Sequence, residues 1–313
     1  METLLTADPS IAAAIIRRGG IVAFPTETVY GLGANVFDET AVAKIFEAKR
    51  RPADNPLIAH VGDLSQIEEL CKAINTPARK LIDEFFPGPL TVVVKKSARV
   101  PLIATAGLDT IGIRMPRHEL ARNFLAACGT PVVAPSANIS GRPSPTTWEA
   151  VFEDLDGRID CILQGEATEI GLESTVVDCT GEVPIVLRSG AIGVEEIRQI
   201  VPETTLFTGD VTDAVASPGM RHKHYSPRAK VVIVRDASEA KGHGNAAFIG
   251  LDAHGVEFKR SAICSSAEEY AHRLFAFFRE CDGDGIDIIF CQRVDETGIG
   301  RALMDRLRRA AEA

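Results

Sequence analysis

The sequence predicts an α/β protein in two unequal parts joined by an irregular connection. Three observations carry this. Over roughly the first 200 residues, short apolar runs alternate with stretches of helical periodicity. From 202 to 229 the periodicity fades, and Thr, Gly, Asp, Pro and basic residues dominate. From 231 onward strand and helix patterns alternate again, as in a small α/β domain with a parallel sheet. The division is therefore 1–201, 202–229 as a linker, and 230–313.

The elements follow in order. Asp8-Pro9 caps a helix over 11–18 that stops at Gly19-Gly20. Residues 21–24 form a short buried strand. Residues 41–49 are helical, with Val42, Ile45 and Phe46 on one face. A strand at 57–61 precedes helices at 66–74 and 78–86, and Pro87-Gly88-Pro89 is a firm break. Strands at 90–95 and 111–114, a helix at 120–128, strands at 161–163, 175–178 and 185–188, and a helix at 194–200 complete the first part. The second part has strands at 231–234, 246–249 and 286–290. Its helices span 266–279, with Tyr270, Leu274, Phe277 and Phe278 on one face, and 301–311.

Composition excludes several classes. The chain has 313 residues, 45% hydrophobic and 25% charged, which is globular and neither disordered nor fibrous. No apolar run reaches the roughly 18 residues that span a bilayer, and the N-terminus lacks a basic start with a long apolar core, so neither a membrane span nor a secretory signal is expected. The formal charge of −9 argues against a general nucleic-acid coat. Cysteines at 71, 128, 161, 179, 264, 281 and 291 are odd in number and widely spaced, with no C-x-x-C. Buried thiols in a reducing, cytoplasmic setting are expected rather than disulfides or a zinc ribbon.

Chemistry concentrates in a few stretches. Residues 24–33, Phe-Pro-Thr-Glu-Thr-Val-Tyr-Gly-Leu-Gly, follow a strand. Thr26 and Thr28 suit a polar ligand, and Gly31 and Gly33 allow close backbone approach. An ordinary strand-to-loop turn would read the same way. Lys49-Arg50-Arg51 then precedes a rigid Pro-x-x-Asn55-Pro. One cation at a helix end answers the dipole, but three together fit phosphate binding. His60 lies on the next strand. Arg114 ends a strand before Met-Pro, either as a rim charge or as a forked grip on a carboxylate. Residues 134–145 form a loop rich in hydroxyls and backbone donors, including Ser136 and Ser144. No His or Asp near Ser136 in sequence supports a hydrolase triad. Residues 173–178 and 186–190 add a hydroxyl pair and Arg188. In the linker, Arg221-His222-Lys223-His224-Tyr225 fits clasping an anion better than holding a metal, because no further ligand cluster accompanies the histidines. Cations grouped in loops and strand ends of an acidic chain favour an anionic substrate such as a nucleotide polyphosphate. Neither a Walker A sequence nor a complete dinucleotide fingerprint occurs.

These stretches, in this order, resemble the Sua5/YrdC/YciO family, and the linker with its small second domain resembles the Sua5 branch. The motifs that carry the likeness are 25–33, 49–57, 87–91, 114–116, 134–138, 174–178, 187–188 and 217–225, with Gly298-Ile-Gly300 in the last domain. The chain departs from the family at Gln164-Gly165-Glu166, where Asp-Gly-Gly is common, and at His222, where some relatives have Tyr.

The resemblance implies a YrdC-like twisted open sheet with helices, plus a smaller Rossmann-like α/β domain. It implies threonylcarbamoyl-AMP synthesis: L-threonine, bicarbonate or carbon dioxide, and ATP give threonylcarbamoyl-adenylate and pyrophosphate. The product would pass to tRNA-modifying transferase proteins that make N6-threonylcarbamoyladenosine in tRNAs reading ANN codons. Threonine would meet Thr28, His60, Arg114, Ala134 and Ser174. ATP would meet Arg51, Asn55, Thr110, Ser136, Ser144, Arg188 and His222. Lys49 and Arg51 would be the catalytic cations, Mg²⁺ would be held mainly by the phosphates, and the linker would close as a lid over a monomer's active site. The alternative is an RNA-binding module of the same fold without synthase activity; direct tRNA binding is left open.

Overall fold

The computed structural model describes residues 2–207, 225–240 and 244–312. In the larger part the strands are β1 (Leu4–Thr6), β2 (Val22–Phe24), β3 (Gly31–Asn35), β4 (Ile58–His60), β5 (Leu90–Lys95), β6 (Thr110–Arg114), β7 (Val132–Val133), β8 (Cys161–Leu163), β9 (Thr175–Asp178), β10 (Ile185–Arg188) and β11 (Thr205–Leu206). The helices are α1 (Pro9–Arg17), α2 (Glu39–Lys49), α3 (Ile67–Leu70), α4 (Thr76–Phe85), α5 (Glu119–Cys128), α6 (Trp148–Leu155) and α7 (Val194–Ile200). One mixed 11-stranded sheet runs in the order β1-β8-β2-β3-β7-β4-β6-β5-β9-β10-β11.

Local chemistry sets the helix ends. The Asp8 carboxylate accepts the Ser10 N–H at the start of α1, Asp38 accepts Ala41 N–H at α2, and Asn75 accepts Ala78 N–H at α4. The α2 end matters most for function. Arg50 caps it in the left-handed region, φ 51°, a conformation uncommon for a side-chain-bearing residue. That reversal lets Lys49 end the helix buried while the chain turns back at once into Arg51.

The smaller part contains β12 (Lys230–Val234), β13 (Ala246–Gly250), β14 (Arg260–Ile263) and β15 (Ile288–Gln292), with helices α8 (Ala267–Gly283) and α9 (Ile299–Ala311). Its sheet has the order β12-β15-β13-β14 and every pairing is parallel, as the strand-helix alternation predicts. Tyr270, Leu274, Phe277 and Phe278 of α8 are buried together, as their spacing requires.

Several elements were not legible in advance. β1, α6 and β14 lie in stretches without a clear period. The stretch 66–74 forms only a short 3-10 turn and α3 rather than one helix. Within 202–229, residues 205–206 are an edge strand, with Thr205 paired to Ile185 and Leu206 to Val186. A two-residue strand gains its identity from the neighbour it pairs with, so no local pattern announces it. All seven cysteines are free and buried. Burial pushes the thiols of Cys128, Cys161, Cys179 and Cys281 up to about 12, which makes them inert. Among the described residues no helix is long and apolar enough to cross a membrane.

Candidate active site

Strand directions bring distant residues to one rim of the large sheet. β4 and β6 run parallel, with His60 opposite Arg114 at their C-terminal ends. β5 is antiparallel to β6, so its start at Leu90 lies at the same rim. β9 runs parallel to β5 and begins beside Leu90, just after Ser174. β10 is antiparallel to β9 and ends there with Arg188. Gly190 permits the last turn, since a Cβ on it would sit 2.2 Å from Thr175 N and 2.5 Å from Ser174 C.

Against this rim lies a partly open cavity lined by residues from β3, β4, β6 and β10 and from the loops between strands. Of the residues singled out in sequence, Thr28, Arg51, His60, Arg114, Ala134, Ser136, Ser144, Ser174 and Arg188 all line it. Residues from both ends of the first 190 thus share one hollow.

The interior is strongly cationic. Arg114 donates from Nη1 to Thr28 Oγ1 at 2.8 Å, and its Nη2 pairs with Glu27 Oε1 at 2.8 Å. Each terminal nitrogen carries a second N–H, which leaves donors for a ligand. Arg188 holds the Ser174 carbonyl from Nε and Nη2, at 3.2 and 3.0 Å, and Ser174 Oγ also meets Thr91 Oγ1 at 2.8 Å. Arg51 Nη2 donates to Asn55 O at 3.3 Å, bracing the turn that carries it. Burial, followed by the opposing pulls of Tyr225 and Asp54 and the push of Arg188, brings the Arg51 guanidinium down to about 10, so it stays charged at neutral pH. His60 behaves differently. Burial, with the Arg114 charge added, lowers it to about 3, so its imidazole is neutral across the physiological range.

Three expected residues lie elsewhere among the described residues. Lys49 stands behind the cavity wall, 1% exposed, with Nζ donating to the carbonyls of Ser136 and Asn138. Burial first, then the charge of Arg51, lowers its pKa well below the usual lysine value. Asn55 is buried in the turn after Arg51 and does not line the cavity. Thr110 opens β6 opposite Lys95, at the end of the strand remote from Arg114. The resemblance assigns it to the ATP side; along a five-residue strand, about 13 Å from first to last Cα, it stands at the opposite end from Arg114. His222, with Arg221 and Lys223, lies outside the described residues, as does most of the expected lid.

Other contributors were missed or undervalued. Glu27 was read only as one carboxylate in a polar turn; its partner Arg114 is 87 positions away, and nothing local announces the pair. Glu173 lines the cavity and accepts from Ser144 Oγ at 2.6 Å. Tyr225, at the end of the linker, also lines it and stacks on Phe275 of α8, with ring centres 5.3 Å apart. Asn138 ties the loop together, accepting from Ser136 Oγ at 2.5 Å and donating to Arg142 O at 2.9 Å.

Comparison with known proteins identifies this arrangement. Residues 14–190 match the Sua5/YciO/YrdC family, described under telomere recombination, and residues 192–312 match the threonylcarbamoyl-AMP synthase C-terminal domain. The chain belongs to the Sua5-type threonylcarbamoyl-AMP synthase family. It is 45% identical to the threonylcarbamoyl-AMP synthase of Pyrococcus abyssi, over 96% of this chain and 93% of that one. It is 41% identical to the Bacillus subtilis protein of the same name, over 99% and 95%. The crystal structure of P. abyssi Sua5 complexed with L-threonine superposes with a TM-score of 0.92 at 41% identity, covering 100% of this chain and 98% of that one.

Membership in this synthase family makes the chain an enzyme that uses ATP as a substrate to form an adenylate, a transferase of tRNA processing. The RNA-binding module without synthase activity gives way to that reading. The YrdC-like sheet and the smaller Rossmann-like domain expected from the resemblance are both present.

Proposed function

We propose that the cavity condenses L-threonine, bicarbonate (or the carbon dioxide derived from it) and ATP into L-threonylcarbamoyladenylate and pyrophosphate. The observation that carries this is the convergence of Arg114, with its Thr28 and Glu27 partners, and of Arg51 and Arg188 on one hollow. The first group suits an amino-acid carboxylate, the second a triphosphate.

In this reading Thr28, His60, Arg114, Ala134 and Ser174 form the threonine side, and Arg51, Ser136, Ser144 and Arg188 the ATP side. Asn55, Thr110 and His222 extend the ATP side by resemblance, Asn55 acting through the turn that carries Arg51. The neutral amine of threonine captures carbon dioxide, losing a proton and becoming a carbamate. A carbamate oxygen then attacks the α-phosphorus, forming the P–O bond as the bond to the β-phosphate oxygen breaks and pyrophosphate leaves. Nothing in this sequence needs a protein nucleophile. It needs alignment and positive charge around the phosphoryl group, which the arginines supply. Lys49 serves by fixing the Ser136 and Asn138 carbonyls, and so the hydroxyl wall of the nucleotide side.

Glu173 is the one carboxylate among the described lining residues, and it is already paired. Among the described residues no cluster of His, Cys, Asp and Glu could hold a metal ion. These donors suit Mg²⁺ carried in on the phosphates better than Mg²⁺ held in a protein cage. The linker, whose Tyr225 faces the cavity, would close over it and keep water from the mixed anhydride. The adenylate would then go to cytoplasmic transferase proteins that make N6-threonylcarbamoyladenosine at position 37 of tRNAs reading ANN codons, with this chain acting as a monomer.

The deciding experiment measures pyrophosphate release with threonine, bicarbonate and ATP each omitted in turn. Release should require all three. Release that is indifferent to threonine or bicarbonate would overturn the reaction.

A further inference from the structure

A negative charge facing the cavity opposes the phosphates of a nucleotide, yet Glu173 is there. Its two oxygens are separately engaged. Oε1 accepts from Ser144 Oγ at 2.6 Å, and Oε2 accepts from Arg306 Nε at 2.9 Å. Arg306 belongs to α9 of the smaller domain and is fully buried. Its Nη2 donates to Ser189 O at 3.1 Å, next to Arg188, and its Nη1 to Asp305 Oδ2 at 2.6 Å. Its Cζ lies 5.3 Å from the centre of the Tyr225 ring, another cavity wall.

We propose that Arg306 is a positioning residue of the nucleotide side: through Glu173 it fixes the Ser144 hydroxyl, and by neutralising that carboxylate it keeps the cavity cationic toward a nucleoside triphosphate. This rests on the ATP reading given above and assigns the smaller domain a part in it. A guanidinium suits the place because three acceptors in different directions, Glu173, Ser189 O and Asp305, need a rigid fork that a lysine cannot provide. Burial works against its charge, but Tyr225, Glu173 and Asp305 outweigh that and raise its pKa, so it stays a cation. The domains are also held by ion pairs away from the cavity, such as Arg301–Glu195 at 2.7 Å. A clasp alone did not have to end on a residue that lines the active site.

The test is calorimetric titration of the full chain with L-threonine alone, and with Mg²⁺-ATP in the presence of threonine. Arg306→Met and Arg306→Lys should each weaken ATP by tenfold or more while threonine affinity stays within twofold. Arg301→Ala should change neither by more than twofold. In a Glu173→Gln background, where no charge remains to neutralise, Arg306→Met should weaken ATP by less than threefold; this pair also decides the matter if the single Met variant does not fold. Equal losses for ATP and threonine mean a merely structural clasp and overturn the proposal, as does unchanged ATP affinity in both Arg306 variants. Failure of the unmodified chain to bind ATP would overturn the ATP reading as well, which separates the two failures.

Discussion

Arg114 and Glu27 form an ion pair, Nη2 to Oε1 at 2.8 Å, with side chains only 5% and 1% exposed. Two charges this deeply buried are costly unless paired and hydrogen-bonded. Thr28 Oγ1 accepts from Nη1 at 2.8 Å and Gly88 O from Nε at 3.4 Å, so two further contacts orient the guanidinium before any ligand arrives.

Removing the charge of Glu27 while keeping its shape should therefore loosen Arg114. Glu27→Gln is expected to raise the KM for threonine about tenfold, roughly 1.4 kcal/mol, with the KM for ATP little changed. Arg114→Ala leaves Glu27 buried without a counter-charge and should lower stability by about 3–5 kcal/mol, read by denaturant unfolding. A Gln variant with unaltered threonine kinetics would remove Glu27 from the site.

Lys49 and Arg51 should separate in kind. Arg51→Ala takes a cation from the cavity and should cut kcat/KM for ATP at least a hundredfold, about 2.7 kcal/mol, with the fold intact. Lys49→Met takes away the amine that holds the Ser136 and Asn138 carbonyls, leaving both buried acceptors short of a donor. It should lower both thermal stability and turnover. Full activity in both variants would dismiss the phosphate assignment.

The His60 imidazole contributes an acid-sensitive term to stability. Unfolded, it binds a proton below about 6.5; folded, it resists until about 3. Between those values the unfolded state holds the extra proton, so stability falls as pH drops from 6.5 toward 3, by up to about 5 kcal/mol. His60→Gln should flatten that limb in unfolding curves taken at several pH values. An unchanged acid limb would show that His60 is not neutral in the native state.

Gly190 is a steric test of the rim. A methyl group there meets the backbone of Thr175 and Ser174, which cannot yield as a side chain can. Gly190→Ala should cost about 1–3 kcal/mol and displace Ser174, lowering turnover more than a surface Gly→Ala change does. Wild-type melting and kinetics would contradict the contact.

Tyr225 links the linker to the cavity. Its ring packs between Phe275 and Arg306, and burial pushes its hydroxyl pKa up, so it stays neutral. Tyr225→Ala should admit water, so that the yield of intact adenylate per pyrophosphate released falls, at least severalfold. A yield equal to that of the unmodified chain would deny the linker a shielding role.

Much of this site was legible because its parts are local. Lys49-Arg50-Arg51, Thr26-Glu27-Thr28 and Ser136 with Asn138 each announce polar chemistry within a few residues, and the strands that carry His60, Arg114 and Arg188 are apolar runs with clear ends. What stayed hidden is relational. Thr110 and Arg114 share a strand, but only its direction in the sheet tells which end meets the cavity. Lys49 and Arg51 look alike in sequence, and the left-handed turn at Arg50 sends one behind the wall and the other through it.

The chain alone determined an α/β architecture in two parts, the parallel character of the smaller sheet, and the residue types that gather anionic substrates, because periodicity, caps and turn residues act over short range. Tertiary structure decided that Glu27 answers Arg114 and that Arg306 reaches across domains to Glu173. Those pairings depend on Coulombic attraction between groups far apart in sequence, and only the packed sheet and helices set the distances over which it acts.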